Sequence, residues 1–236
     1  MNGQLPGVRT FILAGGLGTR LRPFSGVRPK GMMPVGGQPF LARLVERLAD
    51  QNLSDMVLCL GYGAAEISAY FDAHPVPMVR LQYSVETEPR GTAGALRVAE
   101  PYWADENLIL NGDTELRFEF GGFYQYHRRQ LANVTIGVVP VPDASGFGRV
   151  RSTDDGRVIE FMEKDELPYP GLVNAGIYLA TRSPLSAIPA RRAVSIEKEW
   201  IPMLLRKGLP VYACAIAEEF IDFGTPENYR RLTGCV

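Results

Sequence analysis

A short apolar run that empties into a cluster of glycines constrains this chain more than any other feature. Phe11-Ile12-Leu13 is followed by Ala14-Gly15-Gly16-Leu17-Gly18-Thr19-Arg20-Leu21-Arg22-Pro23, and then by Pro29-Lys30-Gly31-Met32-Met33-Pro34. The apolar run reads as a buried strand. Glycines at its carboxyl end permit positive φ and let main-chain N–H groups approach a ligand with no Cβ in the way. Such loops cradle phosphates. Arg20, Arg22, Arg28 and Lys30 follow with no acid between Arg20 and Lys30, so four uncompensated positive charges stand beside the donors. The pattern predicts a polyanionic ligand.

Two common phosphate motifs do not fit. The dinucleotide fingerprint needs a third glycine three residues after Gly18, where Leu21 stands, and no acid follows at the expected distance. Gly26 and Gly31 have the spacing of a P-loop, but Met32 and Met33 replace its Lys and Ser/Thr. Partner classes narrow as well. A net charge of −1, from 25 basic and 26 acidic residues, gives no whole-protein field for nucleic acid or an anionic membrane, so the basic loop is a local feature. No signal peptide or membrane-length apolar run is present, and Cys59, Cys214 and Cys235 are scattered without metal-binding spacing. The reading is a cytoplasmic protein with structural cysteines; a homo-oligomer is left open.

Apolar spacing gives the organisation. Strands are expected at Val8 to Leu13, Met56 to Leu60, Val79 to Val85 and Leu108 to Leu110, alternating with helices at Phe40 to Leu48, Ala64 to Phe71 and from near Gly91. This βαβα order predicts an α/β fold with a mostly parallel sheet flanked by helices and ligands at the carboxyl ends of the strands. After Gly121 the pattern is β-rich: a helix around Phe123 to Leu131, then strands Val134 to Val141, Gly148 to Arg151, Val158 to Met162 and Leu172 to Leu179, with a hairpin signal at Asp154-Asp155-Gly156. A helix from Ser195 to about Lys207, the strand Val211 to Ile216 and a helix from Thr225 follow. We expect residues 1–236 to form a single domain, its β-rich middle making a lid or wall over the sheet's carboxyl edge.

Two acids fall at strand ends, Asp113 in Asn111-Gly112-Asp113 and Asp222 in Ile221-Asp222-Phe223-Gly224-Thr225-Pro226. Magnesium takes oxygen ligands and commonly uses one or two carboxylates plus substrate phosphates, so this pair could hold it. Each acid alone is equally well a turn former.

The run from Leu13 to Pro23, with Pro29-Lys30 and Met33-Pro34 behind it, resembles the signature of the sugar-1-phosphate nucleotidyltransferases, and Asp222 to Tyr229 matches that family's Asp-x-Gly-Thr-Pro-x-x-Tyr run. The resemblance implies a Rossmann-like sheet with a β-rich sugar-binding insertion, of the nucleotide-diphospho-sugar transferase type. It implies Mg2+ on Asp113 and Asp222, and a nucleoside triphosphate on Leu13, Ala14, Gly15, Gly16, Gly18, Thr19 and Arg20. The base would be read by the segment with Glu86, Pro89, Gly91 and Thr92, where a helix starting at glycine is expected to leave its first N–H groups open to the ligand. The sugar would lie against Gly112, Gly148, Glu163, Lys164, Asn174 and Gly176. Arg20, Lys30 and Asp113 would carry the chemistry.

One departure stands out, Lys30-Gly31-Met32 where the family usually has Lys-Pro-Met. Longer relatives carry a C-terminal β-helix, which is not expected here because the sequence stops just after its last helix. Within the family the chain looks most like heptose 1-phosphate guanylyltransferases and their mannose-type neighbours, which implies GTP and a sugar 1-phosphate as partners. The alternatives are a uridylyl- or thymidylyltransferase on a hexose 1-phosphate, or a non-catalytic nucleotide-sugar binder of the same fold. His74 and His127 match no catalytic pattern.

Overall fold

The computed structural model describes residues 7–21, 26, 28–116, 118–162, 169–216 and 220–234. Strand β1 is Val8–Leu13; β2 (Pro34–Val35) and β3 (Gln38–Pro39) form a small hairpin; helix α1 is Phe40–Asp50. Then come β4 (Asp55–Leu60), α2 (Ala64–Ala73), β5 (Arg80–Val85), α3 (Gly91–Val98), β6 (Glu106–Asn111) and β7 (Thr114–Leu116). The later half runs α4 (Phe120–Arg129), β8 (Val134–Val141), β9 (Arg149–Ser152), β10 (Val158–Met162), β11 (Gly171–Thr181) and α5 (Arg182–Ser186). A π-helical turn (Ile196–Trp200), α6 (Ile201–Arg206), β12 (Val211–Ala215), β13 (Phe220–Asp222) and α7 (Pro226–Thr233) close it.

The core is a nine-stranded mixed sheet, ordered β10-β9-β11-β6-β1-β4-β5, with β8 pairing β11 and β12. Strands β6, β1, β4 and β5 are mutually parallel, which brings their carboxyl ends to one edge. The apolar runs of β6, β1 and β4 are continuous because both faces are covered, whereas β5, at the end of the strand order, alternates polar and apolar residues. Ile12, Leu58, Leu108 and Leu110 turn toward α1, α2 and α4, where Phe40, Leu44, Ile67 and Phe123 meet them. Phe11, Val57, Cys59 and Ile109 turn the other way, against Leu96, Leu185, Trp200 and Leu204. Among the described residues no helix is long and apolar enough to cross a membrane.

The strand pairing makes the expected lid or wall an extension of the main sheet rather than a separate layer over it. The β-rich middle belongs to the main sheet: β11 runs antiparallel directly beside β6, with Ile177 opposite Leu110. Local chemistry accounts for two shifted boundaries. Helix α4 starts three residues earlier than its apolar spacing indicates because the Glu119 carboxylate accepts from the Gly121 and Gly122 N–H groups. The helix expected from Ser195 opens as a π turn, in which Trp200 N–H reaches the Ser195 carbonyl; Pro202, having no N–H, removes a bond that would have held the next turn in α geometry.

His127 is a core residue. On α4 it sits 1% exposed, with Nδ1 2.7 Å from the Thr135 hydroxyl of β8. Burial holds its imidazole down at about 4 from an ordinary 6.5, with Glu106 pulling it up and Arg128 pushing it down. The unfolded chain therefore binds the extra proton between those two values. The ring's contribution is complete above the unfolded pKa and is lost as pH falls through that window. Between pH 7.5 and 5.0, wild type should lose about 2 kcal/mol more in urea unfolding than His127→Gln. Equal losses would contradict this account of the ring.

Candidate active site

Hydrogen bonds between neighbouring loops set the shape of the parallel strands' carboxyl edge. Ala14 N–H donates to Cys59 O at 2.9 Å, Gly112 N–H to Leu13 O at 2.9 Å, and Glu86 N–H to Leu60 O at 2.9 Å. A Cβ on Gly112 would stand 2.8 Å from Leu13 O, so only glycine lets the β6 end pack this closely on β1. The result is a cavity of about 710 Å³ lined by Leu13, Ala14, Gly15, Gly16, Gly18, Thr19, Lys30, Glu86, Pro89, Gly91, Thr92, Gly112 and Asp113. The segments expected to hold triphosphate and base thus share one wall with Lys30 and Asp113. Among the described residues, none of the main-chain N–H groups from Gly15 to Thr19 donates to another protein group. Gly112, expected on the sugar side, lies among these nucleotide-side residues.

Lys30 is not the uncompensated charge that its local sequence implies. Its Nζ lies 2.6 Å from Asp113 Oδ2 and 4.9 Å from the centre of the Phe223 ring. Pairing of β13 with β7 puts Asp222 opposite Thr114, and Phe223 N–H donates to Asp113 O at 3.2 Å, so the two acidic positions adjoin at the cavity's edge. Asp113, which lines the cavity, and an acidic position at the adjoining strand end suit a divalent cation whose remaining ligands are phosphate oxygens and water. No cluster of three or more metal-binding side chains occurs among the described residues. The side chains of Arg20 and Asp222, and all of Arg22, Glu163 and Lys164, lie outside what is described.

Glu86 follows β5 with one carboxylate oxygen accepting from Arg90 N–H at 3.1 Å. The other stands 3.1 Å from where a Gly15 Cβ would be and 2.9 Å from a Gly61 Cβ, so two glycines make room for it. Burial raises the carboxyl's pKa; the Arg90 main-chain N–H and guanidinium pull it back. The start of α3 differs in part from expectation. Ala93 and Gly94 N–H both donate to Val194 O, and Thr92 Oγ1 accepts from Ile196 N–H at 2.9 Å, so among the described residues only the first two N–H groups of the helix, those of Gly91 and Thr92, are left without a protein acceptor. Gly91 has φ +70° and a Cβ there would meet Val194 O at 2.7 Å; its glycine serves that junction.

Of the remaining sugar-side residues, the described ones, Gly148, Asn174 and Gly176, form a second cluster next to the cavity. Gly176 has φ +71°, and a Cβ on it would stand 2.5 Å from Asn111 Nδ2, a cavity-lining side chain. The buried Asn174 amide donates to Tyr178 OH and to Glu197 Oε1, both at 2.7 Å, and accepts from Gly176 N–H at 3.1 Å. Gly148 O accepts from Asn174 N–H at 2.9 Å. Gly148, Asn174 and Gly176 are thus brought together.

The family model described as Nucleotidyl transferase matches residues 9–234. The chain belongs to the nucleotidyl transferase family. A mannose-1-phosphate guanylyltransferase of Mycobacterium tuberculosis is 35% identical to this family member over 95% of the chain and 63% of its own length. The chain spans less than two thirds of that relative. The D-glycero-alpha-D-manno-heptose 1-phosphate guanylyltransferase of Campylobacter jejuni is 31% identical, over 94% of this chain and 97% of its own. Among solved structures, HddC from Yersinia pseudotuberculosis complexed with GMP-PN superposes with a TM-score of 0.85 at 31% identity, covering 96% of this chain and 98% of that one.

Sequence reasoning missed several residues of the cavity, notably Gly61, Tyr62 and Gly224. Gly61 and Tyr62 carried a readable signal, since Leu60-Gly61-Tyr62-Gly63 repeats the pattern of an apolar strand ending in glycines seen at β1. Gly63, at φ +73°, lets Pro29 pack where a Cβ would stand, which anchors the segment leading to Lys30.

Proposed function

We propose that this transferase joins GTP to a sugar 1-phosphate of mannose or manno-heptose type, giving a GDP-sugar and pyrophosphate by in-line attack of the sugar phosphate oxygen on the α-phosphorus. The observation that carries the reading is the row of uncommitted N–H groups from Gly15 to Thr19 lining the same cavity as the Lys30–Asp113 pair. Phosphoryl transfer asks mainly for positioning and charge neutralisation, and this arrangement offers both. The relatives that match over nearly their whole length are named as heptose 1-phosphate guanylyltransferases, which supports the choice of base and sugar.

In this mechanism the glycine loop and Arg20 bind the triphosphate, and Asp113 and Asp222 hold magnesium. Bound there, the ion supplies charge neutralisation and orientation at the α-phosphate. Lys30, released from Asp113 as phosphate oxygens take over its ammonium, neutralises charge where the two substrates meet. Gly148, Glu163, Lys164, Asn174 and Gly176 serve the sugar side.

Glu86 selects the base. An ionised carboxylate only accepts, so it favours an edge with two adjacent donors, such as guanine N1–H beside its 2-amino group. Uracil and thymine set one N–H between two oxygens. Losing a charged contact of this kind costs about 1.5 to 3 kcal/mol, roughly ten- to a hundredfold in kcat/KM. Comparing GTP, ATP, UTP and dTTP in wild type and Glu86→Gln tests this: GTP should lead in wild type and lose its lead in the variant. A wild type that prefers UTP or dTTP, or a variant with its GTP preference intact, would remove Glu86 as the selector.

A further inference from the structure

Asn174 was expected to face the sugar, yet its amide is occupied. Both Nδ2 hydrogens go to Tyr178 OH and Glu197 Oε1, and Oδ1 accepts from Gly176 N–H. Within the Asn174–Glu197 pair, the group with capacity left is the carboxylate. Glu197 is half-buried, and among the described residues its Oε2 has no protein partner. An ionised carboxylate accepts several hydrogen bonds and donates none, so the chemistry it recognises is a hydroxyl or another neutral donor.

Three further features fit a ligand group in front of Glu197. Gly148 stands where a Cβ would come within 3.8 Å of Glu197 Cδ and 3.3 Å of the Phe161 ring, so its missing side chain leaves that face of the carboxylate uncovered. The Phe161 ring supplies an apolar platform beside a polar group, a combination that suits the C–H face and hydroxyl rim of a pyranose. The widened π turn carrying Glu197 is tied to the nucleotide wall, because Ile196 N–H donates to Thr92 Oγ1 at 2.9 Å. The carboxylate's position is therefore fixed relative to the triphosphate cavity.

We propose that Glu197 is a specificity-determining residue for the second substrate, accepting hydrogen bonds from hydroxyls of a neutral, polyhydroxylated sugar 1-phosphate, with Asn174 as the residue that positions it. The proposal rests on the transferase reading above. It adds a selection rule: a sugar carrying a carboxylate at that rim is repelled by Glu197, so uronic acid 1-phosphates are rejected.

The test is steady-state kinetics with GTP and either mannose 1-phosphate or D-glycero-D-manno-heptose 1-phosphate, in wild type, Glu197→Gln and Glu197→Ala. Glutamine keeps an oxygen for Asn174 Nδ2 but loses the charged acceptor. Glu197→Gln should raise the sugar 1-phosphate KM roughly tenfold or more, while the GTP KM and the thermal transition stay close to wild type. A Glu197→Gln variant with wild-type sugar KM overturns the proposal, and if only Glu197→Ala is impaired, Glu197 merely holds Asn174. If Glu197→Gln lost its thermal transition, Glu197→Asp would replace it; an unchanged sugar KM there would also overturn the proposal. A wild type that turns over neither sugar 1-phosphate with any triphosphate fails at the transferase reading itself and takes the proposal with it.

Discussion

Asp113→Asn is expected to lower turnover about a hundredfold or more at saturating magnesium and GTP, the usual effect of removing a charge aimed at the transition state. The carboxylate ends β6 at the cavity's edge, 2.6 Å from Lys30 Nζ and joined through Phe223 N–H to the strand end bearing Asp222. An amide there removes one of the two negative charges proposed to hold the metal and weakens the Lys30 contact. Stability should change little. The Asp113 side chain is 38% exposed and that of Lys30 12%, and asparagine keeps an oxygen toward the ammonium, so the loss should stay near the ~1 kcal/mol of a partly solvent-screened pair. The expected signature is thus lost turnover with a nearly unmoved melting transition. Near wild-type rates would remove Asp113 from the chemistry, and unfolding at the same temperature as the rate loss would make its role structural.

Gly16→Val is expected to raise the GTP KM about tenfold or more while leaving the fold intact. A Cβ on Gly16 meets nothing within 4 Å and its φ is not positive, so a side chain strains nothing in the protein and instead projects where the loop lines the cavity. Gly18→Val should behave differently. Gly18 has φ +57°, and a Cβ there would stand 3.2 Å from Lys30 Cβ, so valine both strains the loop and presses on the lysine. That variant should lose kcat and stability together, with a backbone cost of about 1 to 3 kcal/mol. Equal KM values for Gly16→Val and wild type would mean that the loop does not approach the triphosphate.

What the sequence disclosed and what it withheld divide along physical lines. Local patterns were legible. The apolar run before Gly15 announced β1, the spacing of Phe40, Leu41, Leu44, Val45 and Leu48 announced α1, and Asp155-Gly156 announced the turn between β9 and β10, where Gly156 N–H meets Thr153 O. Long-range pairings were not legible. Lys30 finds Asp113 83 residues away, and the α3 start is joined to a segment whose Ile196 bonds Thr92 across 104 residues. No local signal encodes such partners. The join of β11 to β6 was hidden for the same reason, since β-rich composition is the same in a lid as in an extension of the sheet. Pro202 was readable as a helix disturbance, but the π turn that presents Glu197 follows only once Ser195 is seen capping it.

The central claim is that one cavity activates a sugar 1-phosphate with a nucleoside triphosphate. It is tested most directly by incubating the protein with magnesium, GTP and mannose 1-phosphate or D-glycero-D-manno-heptose 1-phosphate, and following pyrophosphate release alongside mass-spectrometric detection of the nucleotide sugar. The account predicts equimolar pyrophosphate and GDP-sugar, dependent on both substrates and abolished by chelating the metal. Binding of GTP without pyrophosphate release from either sugar phosphate, or pyrophosphate release that needs no sugar phosphate, would contradict it.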